Sequence, residues 1–515
     1  MLSSYGVERL DNANFYIGAG SAGSSAAYYL SQYLANHTSS SLPPLNITIF
    51  ERSEHIGGRS ATVPVFGNIS QPVELGASIF VSVNHNLVHA INTFNLSTTD
   101  DDEDGDDGRQ VLGIWNGKEF VYTQDLVAGR WKSWWNTAKL FYRYGLMEPY
   151  RTRNAVQETV RRFLQMYKDP IFPFRSLTDA VSAVDLASVV GVTGAEHLKK
   201  AGVTGLFAQE LIQASTRVNY AQDLANIHGV EAMVCMATNG AMAVKGGNWQ
   251  MFAEMIMASG AGVLLNTTVI SINKTSEGRH GLRWKSQMLE GESVDEFDAV
   301  ILAAPYHQTN IQFTPALTNS PAKHDYVNLY TTLFSTPYTL SPTYFKLPVT
   351  ARIPDMVLTT LPPADEHANH KRNTGLEPDS IFSISQVRTA INPATRARER
   401  VYKIFSSAPI SHQQLLSFIN IASTTALNTT EELPEAVSWH HEKLWQSYPY
   451  LPPVTGGFDD IRLVGDEIGT PGRGVWYTSG IEQLISTMET SSLMGMDVAR
   501  LVVDELIELE RKKEL

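Results

Sequence analysis

Apolar and polar positions change their spacing near the start of the chain. Residues 15–17 form a short apolar run typical of a buried strand, and residues 24–30 have the small and apolar side chains of a closely packed helix. Between them, Gly18, Gly20 and Gly23 have the spacing G-x-G-x-x-G. Gly18 would make a tight turn, Gly20 would let the backbone approach a pyrophosphate, and Gly23 would let the helix lie close to the strand. The pattern predicts a strand, a turn and a helix whose N-terminus binds phosphate.

A second β-rich run, residues 46–50, supports this interpretation because it ends directly before Glu51. A carboxylate at that position accepts hydrogen bonds from a ribose diol. Glu51 lies later than the usual distance of about 20 residues beyond the glycines. The polar residues 36–44 indicate a loop insertion that explains the delay. The two runs together favour a nucleotide-binding domain over a chance match to a structural turn.

The later pattern divides the chain into stretches of strands and helices. An Asn-Gly pair within residues 112–122 predicts a hairpin, and residues 131–222 have a helical pattern. Residues 298–302 form a buried strand of the parallel type, and a helix is predicted over 487–509. A chain of 515 residues should form two lobes. We predict a discontinuous nucleotide-binding domain over 12–80, 225–310 and 460–510, and a substrate-binding lobe over 81–224 and 311–459.

A second glycine turn, Gly57-Gly58-Arg59, favours a flavin over a nicotinamide cofactor. A nicotinamide-binding domain has no special need for it, whereas the longer pyrophosphate and ribityl chain of FAD benefits from further N–H donors and an arginine. The small residues 76–78 suit backbone that passes close to a flat ring. The predicted fold class is therefore α/β, a Rossmann-type FAD-binding domain with an interleaved α+β substrate-binding lobe.

The composition of the chain limits the kinds of partner and site that the protein can have. A formal net charge of −13 argues against nucleic acid, and no tract is long and apolar enough to span a bilayer. The single cysteine, Cys235, excludes an internal disulfide and a cysteine-rich metal site. The histidines lack ligand-like spacing, and the acidic run 100–107 lacks the spacing of a calcium loop, so no metal is predicted. That run is interpreted as a solvated loop.

The motifs, in their order along the chain, resemble those of the FAD-dependent amine-oxidase superfamily. They are more closely similar to prenylcysteine oxidases, also called farnesylcysteine lyases, in residues 25–30, 112–117, 217–222 and 243–248. Many amine oxidases have a lysine before the Ile-x-Phe that follows the Ala-Pro turn, whereas this chain has Asn310. The resemblance implies FAD, held by Gly18, Gly20, Ser21, Ala22, Gly23, Glu51, Arg52, Gly58, Arg59, Gly76, Ala77, Ser78, Val269, Gly480, Glu482 and Met488.

The resemblance also implies oxidative cleavage of farnesyl- or geranylgeranyl-cysteine by O2 and water to a prenyl aldehyde, cysteine and hydrogen peroxide. A hydride that leaves the allylic carbon beside sulfur creates a cation shared by the double bond and the sulfur lone pair. Positioning should then supply most of the acceleration, so no catalytic triad is expected and no catalytic residue is assigned. For the substrate carboxylate we consider Arg217 or Lys245, and for its ammonium group Glu489. Arg217 could equally form an ion pair within the helical lobe.

Two other functions remain open at this point. A flavin oxidase acting on another lipophilic terpenoid in a biosynthetic pathway would share every cofactor motif and differ only in the lobe pockets. A non-enzymatic carrier of prenyl groups would keep the fold, but the flavin motifs are intact. An absorbance spectrum separates the carrier from an enzyme, and product analysis with farnesylcysteine separates the two enzymes.

Location is suggested by two features of the sequence. The chain has seven glycosylation sequons, at Asn36, Asn46, Asn68, Asn95, Asn266, Asn273 and Asn428, and it ends in Lys-Lys-Glu-Leu, one residue from a luminal retention signal. Residues 1–14 are too polar for a secretory signal. We expect a lysosomal, vacuolar or secretory-lumen glycoprotein whose true start differs from this one. An aromatic cluster at 131–144 could be lobe core, pocket wall or a peripheral membrane contact.

Overall fold

The computed structural model of the chain describes residues 13–36, 46–99, 110–126, 130–362, 381–419, 433, 435–464 and 474–514. The strands in this part of the chain are β1 (Ala13–Ile17), β2 (Asn46–Phe50), β3 (Thr62–Pro64), β4 (Pro72–Glu74), β5 (Thr98–Thr99), β6 (Val111–Trp115), β7 (Phe120–Asp125), β8 (Ala243–Val244), β9 (Gly262–Leu264), β10 (Thr267–Lys274), β11 (His280–Ser286), β12 (Ser293–Phe297), β13 (Ala299–Leu302), β14 (Gln312–Thr314), β15 (Tyr326–Thr336), β16 (Met356–Thr359), β17 (Ile381–Ile391), β18 (Arg398–Ser406), β19 (Trp439–Pro449), β20 (Arg462–Val464) and β21 (Gly474–Tyr477).

The α-helices of the same residues are α1 (Ser21–Ala35), α2 (His85–Thr93), α3 (Arg130–Tyr144), α4 (Met147–Phe163), α5 (Leu177–Ala183), α6 (Ala187–Val190), α7 (Gly194–Lys200), α8 (Gln213–Tyr220), α9 (Gly229–Val234), α10 (Trp249–Ser259), α11 (Tyr306–Thr309), α12 (His412–Phe418) and α13 (Met488–Glu514). Short 3-10 helices lie at Val65–Gly67, Leu164–Tyr167 and Ser479–Gln483, and Ala208–Ile212 is a π-helix that leads into α8.

A six-stranded sheet in the order β20-β21-β13-β1-β2-β9 forms the base of the first lobe. Its neighbours pair in parallel except β20 and β21, which are antiparallel. Alternate residues of its strands face opposite sides, because successive strand side chains point in opposite directions. Ile301 and Trp476 pack in the core that includes α1 and α13, whereas Val300 and Val475 pack against a second sheet. Burial on both faces explains the apolar run at β13.

The second sheet has four strands in the order β12-β11-β10-β14 and lies over the face of the first sheet opposite α1. A third sheet of seven strands, in the order β19-β15-β18-β17-β16-β6-β7, forms the second lobe. Its pairs are antiparallel except β16 with β6. Apolar residues of the helical stretch 144–235 pack on one side of this sheet, and α12 packs in a separate core.

Most of the elements expected from the sequence are confirmed. The hairpin is β6 and β7, the stretch 131–222 is helical, β13 is a parallel strand, and the final helix is α13. One predicted domain boundary, at residue 225, disagrees with the way the helices pack. We placed residues from 225 onward with the nucleotide domain, but α9 contacts α4 and α7 and its Ala232 and Met233 belong to the core of the helical lobe. The domain boundaries as a whole stay a prediction.

The aromatic stretch 131–144 does not form one buried cluster. Tyr144 is buried in the core of the helical lobe, whereas Tyr142 is 95% exposed and Phe141 is 37% exposed. The side chains of Trp131, Trp134 and Trp135 lie outside the described residues, as does the acidic run 100–107. Core packing therefore accounts for Tyr144 but not for Tyr142. Among the described helices, none is long and apolar enough to cross a membrane.

Candidate flavin and substrate site

The turn after β1 contains two glycines that the protein needs for its own packing. Gly18 has φ +103°, and a Cβ there would lie 2.8 Å from the carbonyl oxygen of Ala303. A Cβ on Gly23 would lie 2.0 Å from the carbonyl oxygen of Gly18. The Ala-Ala-Pro turn after β13 therefore lies directly against the first glycine turn. Side chains at these two positions would push the strand and the helix apart.

Gly20 is different because a Cβ there would not clash with the rest of the protein. The nearest atom to a Cβ at Gly20 would be the Cα of Gly58, at 3.8 Å. Gly20 is also the N-cap of α1, with no side-chain cap and no acidic residue in the first turn. The first N–H groups of α1 thus have no capping side chain, and the helix dipole favours an anion there. The uncapped N-terminus of α1, beside Gly20 and Gly58, therefore suits a phosphate-containing group.

The N-terminus of a second helix, α13, reaches the same turn. Ser21 donates from Oγ to the carbonyl of Met488 over 2.6 Å, and Ser60 donates to the Met488 sulfur over 2.9 Å. A Cβ on Gly495, two turns into α13, would lie 2.2 Å from the carbonyl of Ala22. Small residues on both helices therefore hold α1 and α13 close together. Two helix N-termini at one point strengthen the local positive potential.

Glu51 lies at the carboxyl end of β2 and its carboxylate is held in place. One oxygen accepts the N–H of Ala19 over 2.7 Å, and the other accepts the N–H and the hydroxyl of Ser53 over 2.8 and 2.7 Å. The residue is 8% exposed. Each carboxylate oxygen has more than one acceptor site, so Glu51 can still accept from a ribose diol. Arg52 is exposed and donates to the carbonyl of Gln308 instead.

Arg59 and Glu482, both predicted cofactor residues, pair with each other across 423 positions of sequence. The guanidinium donates to both carboxylate oxygens over 2.9 and 2.6 Å, and also to the carbonyl of Ser447 on β19. Tyr326 donates to the same carboxylate over 3.1 Å. Burial alone would lower the pKa of Arg59, but Glu482 raises it above its usual value. This pair joins the glycine turns to the C-terminal segment and to the seven-stranded sheet.

The segment from Glu74 to Ser78 is fixed by a lysine that sequence reasoning did not identify. Lys403 on β18 donates to the carbonyl of Glu74 over 2.7 Å and to the hydroxyl of Ser78 over 2.8 Å. Burial lowers the pKa of Lys403 to about 8, and burial raises the pKa of Glu74 to about 7. A Cβ on Gly76 would lie 2.2 Å from the carbonyl of Arg59. The only sequence signal was a lone lysine within an apolar strand pattern.

The other predicted cofactor residues lie around these groups. Val269 is buried on β10, the strand whose first residue, Thr267, donates its N–H to the carbonyl of Glu51. Gly480 lies in the 3-10 helix that carries Glu482, and Ala77 donates its N–H to the carbonyl of Arg59. Asn310 has φ +57°, a conformation that Asn adopts more readily than Lys. The roles of all these residues toward a cofactor stay predictions.

The three predicted substrate contacts are not brought together. Arg217 is buried and its guanidinium lies 3.1 Å from Asp223 and over the ring of Phe382, which agrees with the ion-pair interpretation. Lys245 is exposed and directly follows the two-residue strand β8. The Glu489 carboxylate caps α2 by accepting the N–H groups of Asn86 and Leu87 over 2.9 and 3.0 Å, and it also accepts the hydroxyl of Tyr167 over 2.6 Å. Their contact with a substrate stays a prediction.

Comparison with solved structures identifies the class of fold. The chain is similar to cyclohexylamine oxidase from Brevibacterium oxydans IH-35A, with a TM-score of 0.51 and 15% identity over 96% of this chain and 99% of that one. It is similar to a putrescine oxidase variant with a TM-score of 0.54 and 13% identity, over 96% of this chain and 99% of that one. It is also similar to a fatty acid isomerase from P. acnes with a TM-score of 0.53 and 13% identity, over 95% of this chain and 98% of that one. Residues 17–94 match the model of an NAD(P)-binding Rossmann-like domain. The predicted fold class is confirmed.

The family is identified by a second match. Residues 128–514 match the prenylcysteine lyase family, and the chain belongs to it. The chain is 28% identical to farnesylcysteine lyase of Arabidopsis thaliana over 96% of this chain and 88% of that protein. It is 27% identical to prenylcysteine oxidase 1 of Bos taurus over 94% of this chain and 87% of that protein. The resemblance stated from the motifs is confirmed.

Proposed function

We propose that this protein is an FAD-dependent oxidase that cleaves S-prenyl-L-cysteine. The prenyl thioether, O2 and water would yield a prenyl aldehyde, free cysteine and hydrogen peroxide. Membership of the prenylcysteine lyase family carries the proposal, together with relatives named for farnesylcysteine and prenylcysteine along nearly the whole chain. The amine-oxidase fold supports a flavin enzyme of this kind. Bound FAD would accept a hydride from the carbon beside sulfur and pass the electrons to O2.

The residues of the first lobe fit FAD. The N-termini of α1 and α13, with the side-chain-free backbone of Gly20 and Gly58 beside them, suit the pyrophosphate, and the fixed carboxylate of Glu51 suits the ribose. Gly76 to Ser78 would provide backbone and small side chains beside the ring system. The Rossmann-like match alone would also allow a nicotinamide cofactor. The second glycine turn and the convergence of α13 favour the larger flavin dinucleotide.

We place the prenyl group between the helical lobe and the seven-stranded sheet. The facing residues there are apolar, including Phe207, Ile212, Leu329 and Phe382. Such surfaces exclude water and suit an isoprenoid chain, whose burial stabilises the complex by about 25 cal/mol per Å². The chain's part in the reaction would then be to hold the substrate in a dry site and to orient its sulfur end toward the flavin.

Anaerobic mixing with S-farnesyl-L-cysteine tests this function. The substrate should bleach the flavin absorbance, and O2 should restore it with formation of peroxide and a prenyl aldehyde. The saturated thioether keeps the apolar chain and the cysteine end, so it should bind but react far more slowly. The rate falls about ten-fold for each 1.4 kcal/mol of lost transition-state stabilisation. Equal reduction rates for the two thioethers, or no reduction by either, would favour the terpenoid oxidase instead.

Contact with a membrane and a luminal location are further parts of the proposal. The turn between α3 and α4 exposes Tyr142, Leu146, Met147 and Tyr150, which could rest on a lipid surface from which a prenylated substrate is taken. Cosedimentation with phosphatidylcholine vesicles should decrease when Tyr142 and Leu146 are both replaced by Ser. Expression through a secretory pathway, followed by glycosidase treatment, should reveal glycans at exposed sequons such as Asn68. An unchanged mobility would contradict the luminal location.

A further inference from the structure

A group of polar side chains is buried within the core of the helical lobe. Glu231 lies on α9 and is 0% exposed, Tyr220 ends α8 at 5%, and Tyr448 lies near the end of β19 at 8%. The rings of the two tyrosines pack edge to face, with their centroids 5.0 Å apart. The thiol of Cys235 is buried beside the same groups. The consecutive helices α8 and α9 and the distant strand β19 thus bring a carboxyl, two phenols and a thiol together.

The carboxyl of Glu231 lacks hydrogen bonds that such a group normally has. Within the part of the chain that the structure describes, neither of its oxygens has a hydrogen-bond partner, and the same is true of the Tyr448 hydroxyl. A buried polar atom left without a partner costs about 1–3 kcal/mol, and more when it is charged. Burial raises the pKa of Glu231 to about 8; the Tyr220 hydroxyl and the Ser486 N–H approach the carboxyl and oppose this shift, but neither reaches hydrogen-bond geometry with it. Such a group is suited to a ligand that brings its own donors.

Other buried carboxylates of the protein have their donors. Asp223 accepts from the Gln213 amide over 2.6 Å and lies 3.1 Å from the Arg217 guanidinium. Glu210 accepts two hydrogen bonds from Arg143 and one from Tyr144, each between 2.7 and 2.8 Å. The described residues contain no second carboxyl with both oxygens unpartnered and buried. The exception at Glu231 therefore reflects its place in the molecule rather than a general property of this core.

Glu231 and its neighbours lie directly beside residues 483–486, the segment that joins predicted cofactor residues of the C-terminal stretch. The Tyr220 hydroxyl donates to the carbonyl of Ser486 over 3.3 Å, and a ring nitrogen of His228 lies 3.1 Å from the carbonyl of Gln483. Residues 483–486 connect Glu482, the partner of Arg59, with the start of α13 at Met488. The apolar surface assigned to the prenyl chain belongs to the same core cluster. A substrate whose prenyl group enters this core needs a polar partner there for its cysteine end, and Glu231 is the carboxyl among the described residues with both oxygens unpartnered and buried.

We propose that Glu231, with the hydroxyls of Tyr220 and Tyr448, binds the α-ammonium group of the substrate's cysteine part. The inference rests on the proposed function. An ammonium group has three donors and no acceptor, which matches two carboxylate oxygens and a phenol oxygen that lack donors. Hydrogen bonds between charged groups in a dry site are short and strong. Glu231 takes this role in place of Glu489, whose carboxylate is already occupied by the N-terminus of α2 and by Tyr167.

Glu231→Gln tests the inference when it is measured with two ligands. S-farnesyl-L-cysteine carries the ammonium group, and N-acetyl-S-farnesyl-L-cysteine lacks it. The variant should weaken binding of the first by roughly 30-fold or more, because it removes one partner of a buried charge pair. It should change the affinity for the acetylated ligand by less than about three-fold, because that ligand has no ammonium group to contact residue 231. Binding is measured anaerobically by calorimetry on protein whose flavin has first been reduced, so that the ligand is not oxidised, alongside flavin content and thermal unfolding.

Asp497→Asn is the matched control. Asp497 is also a fully buried carboxyl with one unpartnered oxygen, but it lies on α13 and accepts the N–H of Phe174, away from the helical-lobe core. The preference for the free amine over the acetylated ligand should stay as in the wild type. Tyr448→Phe gives a second test if Glu231→Gln does not fold. It should reduce the preference for the free amine over the acetylated ligand by about ten-fold, because one hydrogen bond to a charged group is lost.

The outcomes separate the inference from the function on which it rests. If Glu231→Gln and Tyr448→Phe keep the wild-type preference for the free amine, or weaken both ligands equally, the assignment of Glu231 is wrong. In that case the wild type would still reduce its flavin with S-farnesyl-L-cysteine. If the wild type neither binds nor oxidises S-farnesyl-L-cysteine, the proposed function itself is wrong.

Discussion

Gly20 and Gly23 lie three residues apart in one turn, yet the space around them differs. A Cβ at Gly20 meets no atom nearer than 3.8 Å, whereas one at Gly23 would lie 2.0 Å from a backbone oxygen. Gly20→Ala should therefore leave the free energy of unfolding of the apoprotein within about 1 kcal/mol of the wild type. It should lower flavin content by at least about ten-fold, because the methyl group occupies the space assigned to the pyrophosphate.

Gly23→Ala should instead destabilise the protein by about 3 kcal/mol or more, since the clash lies within the fold itself. Urea unfolding of apoprotein and the absorbance of purified protein separate the two effects. Gly262→Ala, on the edge strand β9 with no atom nearer than 3.9 Å, is the control for a harmless methyl group. A fully flavin-loaded Gly20→Ala protein would contradict the phosphate assignment.

Glu231 also predicts a dependence of stability on pH. Its pKa is 4.5 in an ordinary carboxyl and about 8 in the fold, so between these values the folded chain holds a proton that the unfolded chain has lost. The contribution of Glu231 to stability should therefore fall as pH rises from about 5 to 8. His228, which caps α9 beside Glu231, has the opposite effect up to about pH 6.5, because burial lowers its pKa from 6.5 to about 4 and the unfolded chain binds a proton that the folded chain lacks. Burial raises the pKa values of Tyr220, Tyr448 and Cys235, so these groups stay neutral in the fold over this range.

Glu231→Gln should remove this component. Without substrate, the variant should be more stable than the wild type at pH 8 and about equally stable at pH 5. The difference in the free energy of unfolding should grow by about 1.4 kcal/mol for each pH unit across which the wild-type carboxyl remains protonated in the fold. Urea unfolding at the two pH values measures the difference. An equal difference at both pH values would mean that Glu231 is ionised in the fold and already has a cationic or donor partner.

At the scale of elements, α1 and α13 depend on contact between small residues. Gly495 approaches the backbone of Ala22 so closely that a Cβ would lie 2.2 Å from its carbonyl oxygen. Gly495→Ala should force the two helices apart, lowering the free energy of unfolding by about 3 kcal/mol and lowering flavin affinity as well. Arg500→Ala on the exposed side of α13 should change stability by less than about 1 kcal/mol. Equal effects of the two substitutions in urea unfolding would contradict this role of Gly495.

The sequence predicted elements better than it predicted contacts between them. The strand, glycine turn and helix at residues 15–30 were legible because each feature depends on neighbours a few positions away. The ion pair of Arg59 with Glu482 and the contact of Lys403 with Ser78 join positions hundreds of residues apart, so no local spacing indicates them. Glu489 shows the same difficulty. Its chemistry suited an ammonium group, but only the fold reveals that α2 uses its carboxylate as a cap.

At the scale of the whole molecule, the predicted cofactor site is assembled from the two ends of the chain. The six-stranded sheet takes β1 and β2 from the N-terminal stretch and β20 and β21 from the C-terminal stretch, with β9 and β13 between them. The guanidinium of Arg59 contacts Glu482 and the β19 carbonyl of Ser447, so it joins both lobes at the predicted cofactor site. A bound cofactor would therefore stabilise contacts that close the entire fold rather than one local segment.

Removal of the flavin should consequently destabilise both lobes together. With free FAD at about a thousand times its dissociation constant, the holoprotein should be more stable than the apoprotein by about 4 kcal/mol. Both forms should unfold in one transition because the lobes share the Arg59 contacts. Far-ultraviolet circular dichroism reports the helical lobe and flavin fluorescence reports release of the cofactor, and their midpoints should coincide and shift with FAD concentration. Two separate transitions, of which only one responds to FAD, would mean that the lobes are not coupled through the cofactor site.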